Sequence, residues 1–329
     1  MKKLTYRAER AQDHEAPVVV LADEDHGVEV RILPSGGNRA YSMTVHGENI
    51  LHFPSQNPAT IRTSRGLDGI PFLAPWANRM PGGFHANGQH YAFNMESGTV
   101  RLDGNGIPIH GLLTAFPGWE VKELTAGKDF ARVTSRLEFW RYPQLMANWP
   151  FAHEYEMTYR LAGGVLEVHL AVLNRSMDPM PIAVGFHPYF VLPGVPVTEA
   201  TATVPVRSHV DADSRLLPTG ETSPIAFTNP VSLRDHRFDD GFTDLVRDSS
   251  GHARFSVEGR GKKIEVIYGP KYPVAIIYAP PGQNYICFEP MAALTNGVNL
   301  AHEGKYSGLQ MVKPGEKWEE SFWVRTEGI

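Results

Sequence analysis

The sequence predicts an all-β protein, a large antiparallel β-sandwich carried by residues 1–329 as a single domain. Three observations lead there. Apolar residues come in short β-branched and aromatic runs, several runs alternate polar and apolar with period two, and Gly, Pro and Asn clusters separate them. No stretch carries the sustained periodicity of a long helix, and no repeat, linker or compositional break divides the chain.

The first expected strands are 18–21, 28–33, 41–45 and 50–53. Between the second and third, Pro34-Ser35-Gly36-Gly37-Asn38 supplies residues that accept the positive φ of a tight turn, so this region reads as a meander. From Thr63 to Gly111 the chain is rich in Gly, Pro and Asn, and a long irregular segment in a compact protein is usually functional or disordered. Its embedded Phe72, Leu73, Trp76, Phe84, Tyr91 and Phe93 argue against disorder.

Residues 153–161 form the clearest strand, with Tyr155, Met157, Tyr159 and Leu161 on one face and Glu154, Glu156 and Arg160 on the other. Gly163-Gly164 turns the chain, and Leu166, Val168, Leu170 and Val172 alternate with Glu167 and His169 on the return. That is the half-buried pattern of an antiparallel sheet, and it places His169 on the outward face, outside any site. The same pattern recurs at 254–257, 263–268, 274–279, 285–289, 309–312 and 318–325. Strands this short and this many indicate a sandwich or barrel rather than alternating β/α units.

Composition bounds the function. Apolar residues at 42% and charged residues at 20% describe an ordinary globular chain with ample core. A formal charge of −5 without a Lys/Arg block gives no support to a nucleic-acid or anionic-membrane surface, and small neutral partners fit better. The lone Cys287 excludes an intrachain disulfide and a cysteine zinc cluster, and its apolar neighbours make it a buried thiol. The first residues lack the apolar stretch of a secretory signal, and no apolar run approaches the ~18 residues of a spanning helix, so the expected location is cytoplasmic. Nothing in the chain speaks to its oligomeric state.

Four stretches carry candidate chemistry. In Gly185-Phe186-His187-Pro188-Tyr189-Phe190 the proline removes a ladder donor, which puts His187 at a strand end beside a pocket. In Tyr285-Ile286-Cys287-Phe288-Glu289-Pro290 one carboxylate interrupts an apolar run and is again followed by proline, so His187 and Glu289 form a candidate acid/base pair. Arg79 sits in the glycine-rich Ala77-Asn78-Arg79-Met80-Pro81-Gly82-Gly83, where its planar fork suits hydroxyl or carboxylate oxygens. His110 precedes Gly111 at the end of the irregular region. Each has a structural alternative: a core histidine, a salt-bridged glutamate, an arginine bonded to loop carbonyls, an exposed histidine. No phosphate-binding glycine loop, no His-Glu-x-x-His and no Gly-x-Ser-x-Gly is present, and the histidines lack metal-ligand spacing. The expectation is no metal and no cofactor.

Taken together, Asn78-Arg79, His110-Gly111, His187-Pro188-Tyr189-Phe190, Phe238-Asp239-Asp240-Gly241-Phe242 and Phe288-Glu289-Pro290 resemble, in this order, motifs of the aldose 1-epimerase family, the galactose mutarotases. The resemblance spans about 28–325 and implies a β-sandwich with a sugar-binding cleft on a curved sheet. It implies catalytic roles for His187 and Glu289 and substrate binding by Arg79, His110 and Asp239, with Asp240 as the alternative because the doublet leaves the register open by one. The implied reaction interconverts the anomers of a free hexose: Glu289 takes the C1 hydroxyl proton while protonated His187 donates to the ring oxygen. Phe186, where many members have Asn, and Leu112, where many have a second Gly, mark a divergent branch. Two other readings stay open: a hexose-6-phosphate 1-epimerase gripping phosphate with Arg62 and Arg65, and a non-catalytic carbohydrate-binding protein of the same fold.

Overall fold

Strand alternation decides which side chains meet in the interior. A computed structural model describes residues 5–63 and 66–329. His153–Ala162 and Val165–Asn174 form the expected hairpin, pairing Tyr155 with Val172, Met157 with Leu170 and Tyr159 with Val168, all fully buried. Gly163 and Gly164 connect them with φ of 58° and 72°, the two consecutive positive values that a tight hairpin turn needs. On the outward face His169 is half-buried and shares a hydrogen bond with Ser321 at 3.0 Å.

This hairpin lies within a nine-stranded antiparallel sheet, ordered Val231–Ser232, Thr201–Thr203, Ala253–Gly259, Lys262–Tyr268, Lys317–Glu327, Val165–Asn174, His153–Ala162, Ala131–Glu138 and Glu120–Ala126. A second, eight-stranded sheet runs Pro218–Pro224, Val206–Ala212, Phe238–Leu245, Val274–Ala279, Ile286–Met291, Gly185–Phe186 and Phe72–Leu73, with Tyr189–Phe190 also paired to Ile286–Met291. The two pack through one continuous apolar core. Phe186 meets Phe322 across it at 5.0 Å between ring centroids, and Phe288 meets Phe255 at 5.9 Å. A five-stranded meander, Tyr6–Asp13 through Glu48–Asn49, adds a third layer to the same core. This is the expected antiparallel β-sandwich. Among the described residues helix is confined to segments of six residues or fewer, the longest being Gly297–His302.

Several elements differ from expectation. Residues 50–53 form no strand; Leu51 makes a single bridge to Phe190, and Asn49 Oδ1 accepts the N–H groups of Met43 and Leu51 in place of ladder carbonyls. Gln310–Val312 pairs with Met180–Ile182 outside the large sheets. Tyr6–Asp13, Glu120–Ala126 and Pro218–Pro224 are strands without an apolar run, because each is an edge strand whose polar residues face water. The irregular segment from 63 to 111 is held by ring contacts such as Trp76 on Phe93 and Phe84 on Trp149, and by single bridges from Trp76 to Ala183 and Arg79 to Ile109. Those bridges lay it beside the eight-stranded sheet, where the candidate residues gather.

Candidate active site

In Ile286–Met291, Ile286 and Phe288 enter the main core, whereas Cys287 and Met291 join a second apolar cluster on the opposite face. Glu289 lies between the latter two and shares their face. Pairing aligns Glu289 with Ile276 and Ile276 with Gly241, and in the neighbouring row Cys287 with Tyr278 and Tyr278 with Asp239. Asp239 therefore stands on the face that carries Glu289. Alternation turns Asp240 out of that row, and its carboxylate meets His209 Nε2 at 2.9 Å. Of the doublet, Asp239 lines the cleft of Glu289 and Asp240 does not.

His187 sits in a break of the same sheet. Gly185 pairs with Met291 and Tyr189 with Cys287, and between these points His187-Pro188 makes no pairing with Ile286–Met291. The His187 N–H instead donates to Pro71 O at 3.1 Å. This is the strand end that Pro188 predicts. Across the break His187 Nε2 approaches Glu289 Oε1 to 3.2 Å, with the two side chains 8% and 1% exposed. The approach lacks hydrogen-bond geometry: both Glu289 oxygens and His187 Nδ1 are without a hydrogen-bond partner among the described residues. Tyr189 stacks on the imidazole at 4.6 Å with planes 6° apart, and His110 meets it edge-on at 5.5 Å.

His110 is buried, and its Nδ1 also has no partner among the described residues. Its φ of 63° lies in the left-handed region that non-glycine residues rarely adopt, and Gly111 follows at 64°. A Cβ on Gly111 would come within 2.2 Å of Ala74 O, so only glycine fits this close approach. Arg79 donates from Nε to Asp103 Oδ2 at 2.7 Å, and Asp103 Oδ1 accepts the N–H groups of Asn105 and Ile107. The guanidinium is thus braced from behind. These residues line a cleft of about 220 Å³ that holds all five candidates: His187, Glu289, Arg79, His110 and Asp239.

Further lining residues, among them Asn78, Arg101, Tyr189 and Tyr278, were not anticipated as site residues. Asn78 carries a local signal in its place beside Arg79, and Tyr278 is an aromatic in a predicted strand. Arg101 has no signal in its own neighbourhood and reaches the cleft through the fold of the irregular segment. Arg62 is exposed at the end of the turn Pro58–Arg62 and is not part of the lining, and Arg65 lies outside the described residues. No group of three or more His, Cys, Asp or Glu among the described residues is arranged to hold a metal ion.

Burial sets the charge states. It pushes His187 down to about 3, with the positive Arg101 assisting. It pushes the Glu289 carboxyl well above the usual range, with the negative Asp239 adding to the shift. His110 is held well below the usual histidine value by burial and by the neighbouring His187, Arg101 and Arg79. Burial thus disfavours the charged form of both groups, whereas the sequence resemblance implies a protonated His187 beside an ionised Glu289; the two arrangements hold the same number of protons and differ by one transfer between the pair.

An antiparallel sandwich of this kind is shared with galactose mutarotase-like proteins. A galactose mutarotase-like protein from Clostridium acetobutylicum shares the fold over 100% of both chains, with a TM-score of 0.87 at 22% identity. Galactose 1-epimerase from Lactobacillus acidophilus NCFM shares it over 99% of both, with a TM-score of 0.74 at 17% identity. In sequence the chain is similar to galactose mutarotase of Homo sapiens, 24% identical over 284 residues and 76% of each chain, and to that of Sus scrofa, 25% identical over 277 residues and 75% of each. The family pattern described as aldose 1-epimerase matches residues 17–325. The chain belongs to the aldose 1-epimerase family and is an isomerase.

Proposed function

We propose that the protein interconverts the α and β anomers of a free hexose, using His187 and Glu289 as its acid/base pair. The observation that carries this reading is the 3.2 Å approach of His187 Nε2 to Glu289 Oε1 on the wall of a cleft, with three polar atoms of the pair left unpartnered among the described residues. An unpartnered buried polar group costs about 1–3 kcal/mol, an expense relieved when water or a ligand hydroxyl completes the bonds.

The chemistry needs one proton removed and one supplied in each direction. Hydroxyls entering the cleft solvate the pair and allow the proton of Glu289 to pass to His187. Glu289 then takes the proton from the C1 hydroxyl while His187 donates to the ring oxygen, and the bond between C1 and that oxygen breaks. The aldehyde turns about C1–C2, and ring closure on its other face returns both protons. Acid/base catalysis of this kind gives typically ~10²–10⁴-fold. Arg79, His110 and Asp239 hold hydroxyls while this happens. A binding protein that only holds sugar has no need of a buried acid beside a buried base.

A 6-phosphate is disfavoured. Arg62 does not line the cleft, Arg79 is already matched by Asp103, and Asp239 sets a negative charge against Arg101, the other arginine of the lining. We read the whole chain as one functional unit, acting in the cytoplasm on a small sugar. Polarimetry of freshly dissolved α-glucose, α-galactose and their 6-phosphates tests the reading. Acceleration of a free hexose is expected; a kcat/KM for glucose 6-phosphate more than ~10-fold above both free sugars, about 1.4 kcal/mol, overturns it.

A further inference from the structure

Arg101 lines the cleft beside His187 and Glu289, and the pairing of the irregular segment decides where its side chain points. The Ile109 N–H donates to Arg101 O at 2.9 Å, Leu102 bridges Pro108, and Ile109 bridges Arg79 on its other side, both bridges being antiparallel. Arg101, Ile109 and Arg79 thus form one row across three segments, and residues aligned in an antiparallel row present their side chains to the same face. All three line the cleft. Neighbouring strands stand ~4.8 Å apart, so the two arginines rise roughly 10 Å from each other with Ile109 between them. Asp103 fixes their relation: its Oδ1 accepts the N–H groups of Asn105 and Ile107 across the turn, and its Oδ2 accepts Arg79 Nε.

We propose that Arg101 is a specificity-determining residue that binds the C6 hydroxyl of the hexose, so that the protein prefers sugars carrying this hydroxyl over their 6-deoxy counterparts. The inference rests on the anomer-interconverting reading of the cleft and adds to it the part of the sugar that is selected.

The ends of the cleft decide which hydroxyl this is. In that reading Glu289 addresses the C1 hydroxyl and His187 the ring oxygen, which is bonded to C1 and to C5. Asp239 stands on the Glu289 side: after burial, its negative charge is what raises Glu289, and Arg79 opposes the burial that raises Asp239 itself. Arg101 stands on the His187 side, where its positive charge adds to burial in holding His187 down to about 3. His110, one residue on from Ile109, is held low by burial, by His187 and then by both arginines. The direction from Glu289 through His187 to Arg101 is therefore the direction from C1 through the ring oxygen to C5 and its C6 hydroxyl. The C2 hydroxyl lies the other way, toward Asp239.

The chemistry of the guanidinium agrees. It carries N–H donors and no acceptor, so it pairs with an oxygen lone pair, and a sugar with hydrogen in place of the C6 hydroxyl sets those donors against carbon. A site that bonds a hydroxyl rejects the analogue lacking it far more strongly than an apolar pocket rejects a missing methylene. A phosphate at C6 is a poorer occupant, because a dianion calls for several charge-assisted donors. Nearby Arg39, held down to about 10 by burial with Arg101 adding to the shift, is 1% exposed and donates to the carbonyl oxygens of Asp68 and Thr114.

The test is polarimetry of glucose and galactose beside 6-deoxyglucose and 6-deoxygalactose, with 2-deoxyglucose as the reference. In the wild type, kcat/KM for each 6-deoxy sugar is expected at least ~10-fold below that of its parent. Arg101→Met is expected to narrow this ratio to within about twofold by lowering the value for the parents, with the ratio of 2-deoxyglucose to glucose unchanged. Arg101→Lys, which keeps the charge and loses the fork, should give an intermediate ratio. A 6-deoxy sugar turned over as well as its parent by the wild type overturns the inference, as does a 6-deoxy penalty of the same size in the wild type and both variants. So does a glucose 6-phosphate value above that of glucose in the wild type and not in Arg101→Met, which would make Arg101 an anion receptor. If Arg101→Met does not fold, the ratios of the wild type and Arg101→Lys decide. No acceleration of any hexose by the wild type overturns the anomer-interconverting reading itself, and the inference with it.

Discussion

The ring of Tyr189 lies flat on the imidazole of His187, 4.6 Å between centroids and 6° from parallel, and only Pro188 separates the two in the chain. The same strand break that frees His187 from the ladder thus supplies the surface that holds its ring. Tyr189→Leu is expected to lower kcat for mutarotation about 10-fold while leaving KM within about twofold, since a misplaced catalytic group loses rate before binding. Equal losses in kcat and thermal stability would show that the tyrosine only packs.

Removing the reacting groups should separate activity from folding. His187→Ala and Glu289→Gln are each expected to slow mutarotation by at least ~10²-fold. Because Glu289 is buried without a hydrogen-bond partner among the described residues, Glu289→Gln should leave the thermal midpoint unchanged or raised. Calorimetry checks the second half, and a large fall in midpoint would favour a purely structural glutamate.

Stability should respond to pH through the pair with opposite signs. The folded-state value of His187, about 3, lies below the 6.5 of a free histidine. Between them the unfolded chain binds a proton that the folded chain refuses, so stability falls as pH falls through this window. Glu289 is displaced upward, so above the ordinary carboxylate value the folded chain holds a proton that the unfolded chain has lost, and stability falls as pH rises. Denaturant midpoints measured against pH should therefore show a shallower acid-side slope for His187→Gln and a shallower slope toward higher pH for Glu289→Gln. Parallel curves for wild type and both variants would contradict the downward shift of His187 and the upward shift of Glu289.

Arg79 should matter for binding more than for chemistry. Arg79→Ala is expected to raise KM for a hexose at least ~10-fold with a smaller change in kcat, and Asp103→Asn, which loosens the guanidinium from behind, should move KM in the same direction by less. Steady-state kinetics decides; a kcat effect larger than the KM effect would place Arg79 in the proton-transfer step.

The sandwich is legible wherever one strand face is buried and the other wet, as in Val165–Asn174, where Val168 and Leu170 alternate with Glu167 and His169. It fades at sheet edges. Pro218–Pro224 carries Thr, Gly, Glu and Ser because nothing covers it, and no apolar pattern betrays it. For the site, prolines 188 and 290 mark places where a ladder loses a donor, and the residue before each proves to face the cleft. Tyr278 and Arg101 are not readable in this way: the first owes its place to the register that aligns Asp239, Tyr278 and Cys287 across three strands, the second to the path of an irregular segment. Nor are the shifts of the pair, since the burial that displaces His187 downward and Glu289 upward exists only in the folded chain.

The gap left by Gly241 lies in the row that Ile276 joins to Glu289. Its neighbours Ile276 Cδ1 and Val210 are side-chain atoms rather than backbone, so a small side chain at this position could be accommodated by rotation of Ile276 while the cavity lined by Gly241, Val210 and Leu216 narrows. A single codon change would then reshape this space and leave the contact of His187 with Glu289 intact. The row beside that contact is free to vary, one methyl group at a time.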